Sequence, residues 1–433
     1  MPLRLILNTD FGPTPLGFRR LAEALLRIPR ALRRGSKSIS LTSMKESITI
    51  HNFGPIKYIH IKEIKPVMLL IGRSATGKST IMKLIGLFRY LYKYANIASY
   101  LKQSKIASLP FKKQFKKLIE ANGLATNLKS DTHLTYTVEG STGRIYKFEY
   151  RPGKPVSSPS ISPEDLTFIK GIFVSEFRNI ISAWTGYGPN SGLQLGFYFN
   201  ETLELFKEAV RTNPSVDLPY FGMTFKASKT ASNGMPQYNL VTKNSEGKEI
   251  NIRLRDASSG MKTTTPLGLI VNYASHSFDF TEAFQRSVID LLYRSNRLKE
   301  FKAVAELKDL RKMVTISIEE PELSLDPETQ GLLLDYIVTT LFHINPEDGR
   351  NFKIMMASHS PYMANQLNLL MARNEMEATN GINPKDVEVL LTENGTARSL
   401  MVRDDHNRPV VDTEFLSEPI NQIYDNYEAL RPD

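Results

Sequence analysis

From Met44 onward the chain alternates apolar and polar positions in short runs. In "KESITIHNFGPIKYIHIKE", Ile48, Ile50, Ile59 and Ile61 each stand between polar neighbours, the period of two that half-buried strands need. A short apolar strand, "VMLLI", then runs into Gly72, and "IMKLIGLF" opens a helical stretch predicted over residues 79–121. "THLTYTVEGSTGRIYKFEYRPG" (Thr132 to Gly153) and "YNLVTKNSEGKEINIRL" (Tyr238 to Leu254) alternate around glycine turns and predict two hairpins. Between them "ETLELFKEAV" is helical, with loops rich in Gly, Pro, Ser and Asn on both sides. From Val314 the order is strand, helix, strand: "VTISIEE", "PETQGLLLDYIVTTLF", "FKIMMASHS". Apolar strands alternating with helices predict a parallel sheet covered on both faces, and the hairpins predict an antiparallel lobe beside it. "DVEVLLTENGTARSLMVRDDHNRPVVDT" reads as a further hairpin completing the core. Asp404 and Asp405 fall in its turn.

Composition narrows the classes. Among 433 residues there is no cysteine, which excludes disulfides and thiolate chemistry and fits a reducing, cytoplasmic setting. No apolar run approaches the roughly 20 residues of a membrane-spanning helix. The net charge of +10 is unevenly spread, because residues 1–43 hold eight Arg or Lys side chains against two acids. That segment shows no strand pattern. It reads either as a basic appendage or targeting segment, or as an over-extended reading frame whose natural start is Met44, and the second is the expectation adopted. Residues 79–121 carry nine further basic side chains interleaved with aromatics, and no acid before Glu120. Such a stretch suits either a phosphate backbone such as DNA, an acidic partner, or a solvated helix face, and the last is expected.

Four motifs carry chemistry. Gly72 to Ser79, "GRSATGKS", fits G-x-x-x-x-G-K-[ST] between a strand and a helix. Main-chain N–H groups in such a loop curl into a nest for phosphate oxygens, and the helix presents its positive end to the same charge. Gly72, Ser74, Thr76, Gly77, Lys78, Ser79 and Thr80 are therefore the candidate nucleotide residues, with Lys78 on the β- and γ-phosphates and Ser79 on Mg²⁺. "VTISIEEPELSLDPETQ" places Glu319 and Glu320 at a strand end, where open α/β sheets bind ligands. Adjacent strand residues face opposite ways, so both acids serve one site only because Pro321 ends the strand. One would hold a Mg²⁺-bound water and the other would orient the attacking water. His359, 39 residues after Glu320, would reach the same edge if its strand is a parallel neighbour. Ala257-Ser258-Ser259-Gly260 is a small-residue turn before an apolar helix, which a helix cap explains as well as a phosphate contact does.

Taken in order, these motifs resemble ABC-type ATPase heads, and within them the OLD-like and RecF/SMC-like branch; "IEEPELSLDP" and "ASHSPYMANQLN" are close to OLD-like forms. The resemblance covers Met44 to about Asn368 and implies an α/β P-loop NTPase: an ABC-ATPase-like head with a mixed sheet, an antiparallel β lobe and a basic helical insertion at about 81–125. The implied domains are a basic extension (1–43), the head (44–368), and a C-terminal hairpin and helix completing it (369–433). By motif, Lys78 and Ser79 match the Walker A residues, Glu319 the Walker B acid on Mg²⁺, and Glu320 the catalytic acid. Asp326 matches the D-loop acid and His359 the switch histidine. Ser258, Ser259 and Gly260 match the signature, with Ser259 where many relatives have glycine. Arg178, in "IFVSEFRNIISAW", resembles an arginine strand of OLD-like proteins with no role attached, and no Q-loop residue is placed. The resemblance implies ATP and Mg²⁺ as ligands and a head-to-tail homodimer, or a higher oligomer, clamping ATP between Walker A and signature. OLD nucleases carry a Toprim domain after the head, and only 74 residues follow His359. A separate effector such as a nuclease is therefore implied, as in the two-gene phage-defence systems of the Septu and PARIS kinds. The alternatives are a RecF/SMC-like DNA repair ATPase and a nucleotide-gated scaffold that scarcely hydrolyses ATP.

Overall fold

The computed structural model describes residues 44–430 except 104–113, 155, 158, 185–196, 230–235, 295–309, 345, 347 and 377–379. The 1–43 extension, and Lys105, Lys112 and Lys113 of the basic stretch, lie outside the described residues.

The alternating pattern after Met44 forms an antiparallel sheet of β1 (Lys45–Phe53), β2 (Ile56–Ile61), β4 (Leu128–Glu139) and β5 (Ile145–Tyr150), in the order β2-β1-β4-β5. Ile48 pairs with Ile61 and Ile50 with Ile59. All four are buried, as a period of two with one face on the core requires. The predicted hairpin of residues 132–153 is the β4–β5 pair. The second predicted hairpin pairs β9 (Pro236–Lys243) with β10 (Glu249–Arg253), in a sheet with β7 (Ser215–Leu218) and β8 (Met223–Lys229).

The core is a six-stranded mixed sheet. It contains β3 (Val67–Ile71), β6 (Thr167–Val174), β11 (Arg311–Glu319), β12 (Asn351–Ser358), β13 (Val387–Glu393) and β14 (Thr396–Ser399), ordered β14-β13-β3-β12-β11-β6. All neighbours run parallel except β14 against β13. Every residue of β3 is buried, the unbroken apolar run of a strand covered on both faces. The covering helices include α1 (Lys78–Gln103), α3 (Phe197–Thr212), α4 (Ser259–His276), α6 (Pro327–Phe342) and α7 (Pro361–Glu375). The short α2 (Gln114–Ala121) and the longer α5 (Phe280–Arg294) complete the helices of this part. A small β15–β16 hairpin (Met401–Arg403, Pro409–Val411) precedes α8 (Glu414–Ala429), which buries none of its residues. Asp404 accepts the N–H groups of His406 and Arg408 in that hairpin's turn.

Among the described basic residues of this stretch, Lys102 and Lys117 are exposed as expected, Lys83 and Lys93 are half-buried, and Arg89 is buried. Ile81, Leu84, Ile85, Phe88 and Tyr92 are buried along α1, as are Met82, Leu87 and Leu91 on its other sides, and Tyr94, Tyr100 and Phe115 are buried too. Arg89 points inward, with Nε and Nη2 donating to Glu46 at 2.8 and 2.9 Å. Lys353 Nζ donates to the same carboxylate at 2.8 Å, and the Tyr136 hydroxyl also binds it. Two cations and a phenol around one buried acid tie β1 and β4 of the lobe to α1 and to β12 of the core sheet. Arg89 and Lys353 hold the Glu46 carboxyl well below its ordinary value, against the effect of burial, which alone would raise it.

Candidate functional site

Strand register decides which side chains can meet. Ile71 pairs with Ser358 and with Leu391, Glu319 with Ala357, and Ile318 with Val174. The carboxyl ends of β3, β6, β11, β12 and β13 therefore form one edge, and the loops leaving them are neighbours. β12, which carries His359 at its tip, lies between the lysine strand and the acid strand.

The Gly72–Thr80 loop rises from this edge. Gly72, Ala75 and Gly77 have φ of 149°, 61° and 100°, the region in which N–H groups turn inward and which glycine enters without cost. A Cβ on Gly72 would meet the Thr392 carbonyl oxygen at 2.4 Å, so no other residue fits there. Lys78 is buried, and its Nζ donates to Gly72 O and Arg73 O, both at 2.9 Å. Burial lowers its ammonium below the ordinary value, while Glu320 and Glu322 pull the other way. Ser74 is exposed, and Ser79 and Thr80 are half-buried in the first turn of α1. Thr76 Oγ1 lies 2.9 Å from Arg73 O and 2.7 Å from Thr392 Oγ1, and Thr392 Oγ1 lies 3.2 Å from Ile71 O, so two hydroxyl protons are shared among three contacts. Thr392, on β13, thus pins the loop from the far end of the sequence.

The strand expected to carry both acids stops at Glu319. Glu320 has a φ of 44°, so the chain turns before Pro321 and the second carboxylate escapes the alternation of the strand. Glu320 Oε1 lies 3.8 Å from His359 Nε2. Glu319 stays buried, with the Ser79 hydroxyl beside it opposing the rise of its carboxyl. Burial pushes its carboxyl up to about 7; Glu176 beside it acts the same way, and Lys83 opposes. Lys83 Nζ is 3.6 Å from Glu319 Oε1 and 5.2 Å from the ring centre of Tyr198. Glu322 Oε1 accepts the His359 N–H at 2.7 Å and the Ser358 hydroxyl at 2.8 Å, fixing the histidine's main chain. Neither Glu322 nor Glu176, which follows β6, was singled out from the sequence. Their signal was only proximity to strand ends whose order was unknown.

Ser258 caps α4, its Oγ accepting Met261 N at 3.3 Å. Ser258 and Ser259 are exposed, whereas Gly260 is buried. A Cβ on Gly260 would sit 2.7 Å from Ser324 O and 3.1 Å from Leu325 Cδ2. Asp326 caps α6 through Thr329 N at 3.0 Å and Thr329 Oγ1 at 2.6 Å, and these bonds lower its carboxyl pKa. The signature turn thus rests on the turn that leads into Asp326.

The donor set suits a magnesium triphosphate: a loop of inward N–H groups, one lysine, and a hydroxyl paired with a carboxylate. Among the described residues no three His, Asp or Glu side chains gather into a protein-only metal cage. Ser79 and Glu319 alone fit Mg²⁺, which keeps most of its coordination for water and phosphate oxygens.

Sheet order, loop and helix together define an α/β fold of the P-loop NTPase class. No protein-family model and no curated protein matches the chain. Among solved structures, the SMC head domain from Thermotoga maritima aligns at 11% identity over 83% of this chain and 99% of that one, with a TM-score of 0.34. The SMC head bound to the C-winged helix domain of ScpA aligns at 10% identity over 82% and 97%, TM-score 0.33. The recombination mediator protein RecF of the RecFOR pathway aligns at 11% identity over 83% and 98%, TM-score 0.33. At these TM-scores the likenesses add no argument to what register and loop geometry provide. Among the described residues no helix is long and apolar enough to cross a membrane.

Proposed function

We propose that the chain is a Mg²⁺-dependent ATPase whose working site is shared by two copies arranged head to tail. The observation that carries this reading is the common strand edge, which supports Lys78, Glu319, Glu320 and His359 as one constellation. Gly72 to Thr80 would hold the phosphates through main-chain N–H groups and Lys78. Mg²⁺, on Ser79 and Glu319, would neutralise phosphate charge as the terminal bond breaks. Glu320 accepts the proton of the attacking water, and His359 steadies the carboxylate and the water. Ser258 and Ser259, exposed at the positive end of α4 with no task in their own chain's loop, are the groups a second copy's triphosphate would meet. Triphosphate that binds both faces favours the closed pair, and loss of the terminal phosphate releases it.

The output we assign is sensing or regulation with a separate effector such as a nuclease, in bacterial phage defence. The motif resemblance to OLD-like ATPases supports this. ATP turnover of the full chain tests the chemistry. Lys78→Ala is expected to lose nucleotide affinity, and Glu320→Gln to keep it while turnover falls at least about 100-fold, the scale of a lost general base. Equal turnover in wild type and Glu320→Gln overturns the assignment. Phage plating on cells carrying the chain and its neighbouring gene, with Lys78→Ala as control, tests the defence role.

A further inference from the structure

Arg178 is the largest of the fully buried side chains among the described residues, and the ATPase reading gives it no task. Its hydrogen bonds all go to main-chain oxygens. Nη1 donates to Glu319 O at 2.6 Å and to Ser175 O at 3.2 Å, Nη2 to Glu320 O at 2.6 Å, and Nε to Thr263 O at 3.1 Å. A buried charge is costly, and an apolar side chain would fill the same space without that cost. What a guanidinium adds is a rigid planar fork of five donors that fixes several acceptors at once. Here the acceptors belong to three segments: the end of β6, the acid turn after β11, and the second turn of α4.

Two of these segments need holding. Glu320 sits at a φ of 44°, which persists only where surroundings impose it. In α4, Pro266 has no N–H for the Lys262 carbonyl, which loosens the helix beside the Thr263 oxygen that Arg178 binds. One turn earlier, Gly260 lies against Ser324 with room for hydrogen alone. The signature helix therefore lies against the segment after β11 at Gly260 and is joined to the acid turn by Arg178 through Thr263 O, Glu319 O and Glu320 O.

We propose that Arg178 is a positioning residue that couples the start of α4 to the Glu319–Glu320 turn, so that engagement of Ser258 and Ser259 by a second copy's triphosphate is transmitted to the catalytic carboxylate of this one. This rests on the shared-site ATPase reading. With no exposed surface, Arg178 acts on the reacting atoms only through Glu319 and Glu320.

The test compares full-length wild type, Arg178→Met and Arg178→Lys with Mg²⁺-ATP, measuring Kd, KM, kcat and hydrogen exchange of peptides spanning 259–266 and 317–325. A misplacement of about 1 Å costs on the order of 100-fold in rate. Arg178→Met is expected to lose about that much kcat with Kd within about threefold of wild type, and Arg178→Lys, with three donors, to recover part of it. ATP should protect both peptides in wild type, but only 259–266 in Arg178→Met. Joint protection of both peptides in Arg178→Met overturns the proposal, as does a kcat loss matched by the Kd loss with faster exchange throughout β1–β5. Should wild type bind ATP without turnover, hydrolysis fails as the function while the exchange comparison still decides the coupling. Should Arg178→Met not fold, Arg178→Lys decides it: weakened joint protection supports the coupling, and wild-type protection with wild-type kcat overturns it.

Discussion

Thr392→Val isolates the hold that the C-terminal strand has on the phosphate loop. Valine keeps the shape and removes one hydroxyl, which has two contacts: a part-buried one with Thr76 Oγ1 at 2.7 Å and a buried one with Ile71 O at 3.2 Å. Thr392 is fully buried, so water does not reach its hydroxyl, while Thr76 is half-buried. A typical buried bond contributes about 0.5–1.5 kcal/mol net, and the two together about 1–3 kcal/mol of stability. Only the Thr76 bond acts on the loop, since the other lies within the sheet. Its loss converts, at 1.36 kcal/mol per tenfold, to about a 2- to 13-fold rise in nucleotide Kd. Titration calorimetry with a slowly hydrolysed ATP analogue measures this, with a thermal melt alongside. Thr76→Val, which also loses the contact with Arg73 O, should weaken binding at least as much, and the double variant should bind no worse than Thr76→Val, because the Thr76–Thr392 bond is already absent from it. A lowered Tm with unchanged Kd would refute the reasoning, since the loop would then keep its shape without Thr392.

Glu46→Gln leaves Arg89 and Lys353 buried without a carboxylate and is expected to cost about 3–5 kcal/mol in denaturant unfolding. The Glu46 carboxyl is held below its unfolded value, so its contribution is full above about pH 5 and drains away as pH falls through the lower folded value; the variant's stability should accordingly fall less steeply below pH 5 than that of wild type. Gly260→Ala drives a methyl to 2.7 Å from Ser324 O and must move the start of α4, costing about 1–3 kcal/mol. Its Kd for nucleotide at low protein concentration should stay as in wild type while turnover falls at least about tenfold, which parallel binding and phosphate-release assays check.

Much of the architecture was legible because the signals are local. The helix "PETQGLLLDYIVTTLF" is found at Pro327–Phe342, and the two glycine-turn hairpins form where alternation placed them. The paired acids could be understood from strand geometry and Pro321, and the turn at Glu320 is the physical answer to that constraint. Contacts between a side chain and a remote main chain leave no such trace. Arg178 reaches oxygens 141 and 142 residues away, and Thr392 reaches Thr76 across 316. Arg89 departs from the basic stretch for a related reason: a charge run suggests solvent, yet this arginine is drawn inward by Glu46, an acid 43 residues earlier whose burial no local pattern announces. The spacing of Ile81, Leu84, Ile85, Phe88 and Tyr92 was the better guide to that helix.

The most direct test of a site shared between copies is the mass of Glu320→Gln in solution, by light scattering at saturating Mg²⁺-ATP and again after the nucleotide is removed. A doubling of mass that needs ATP, and that is lost when Ser258 and Ser259 are both replaced by bulky acids, is the predicted result. A particle whose mass ignores ATP, or a Ser258/Ser259 variant that still pairs as well as its parent, would contradict it.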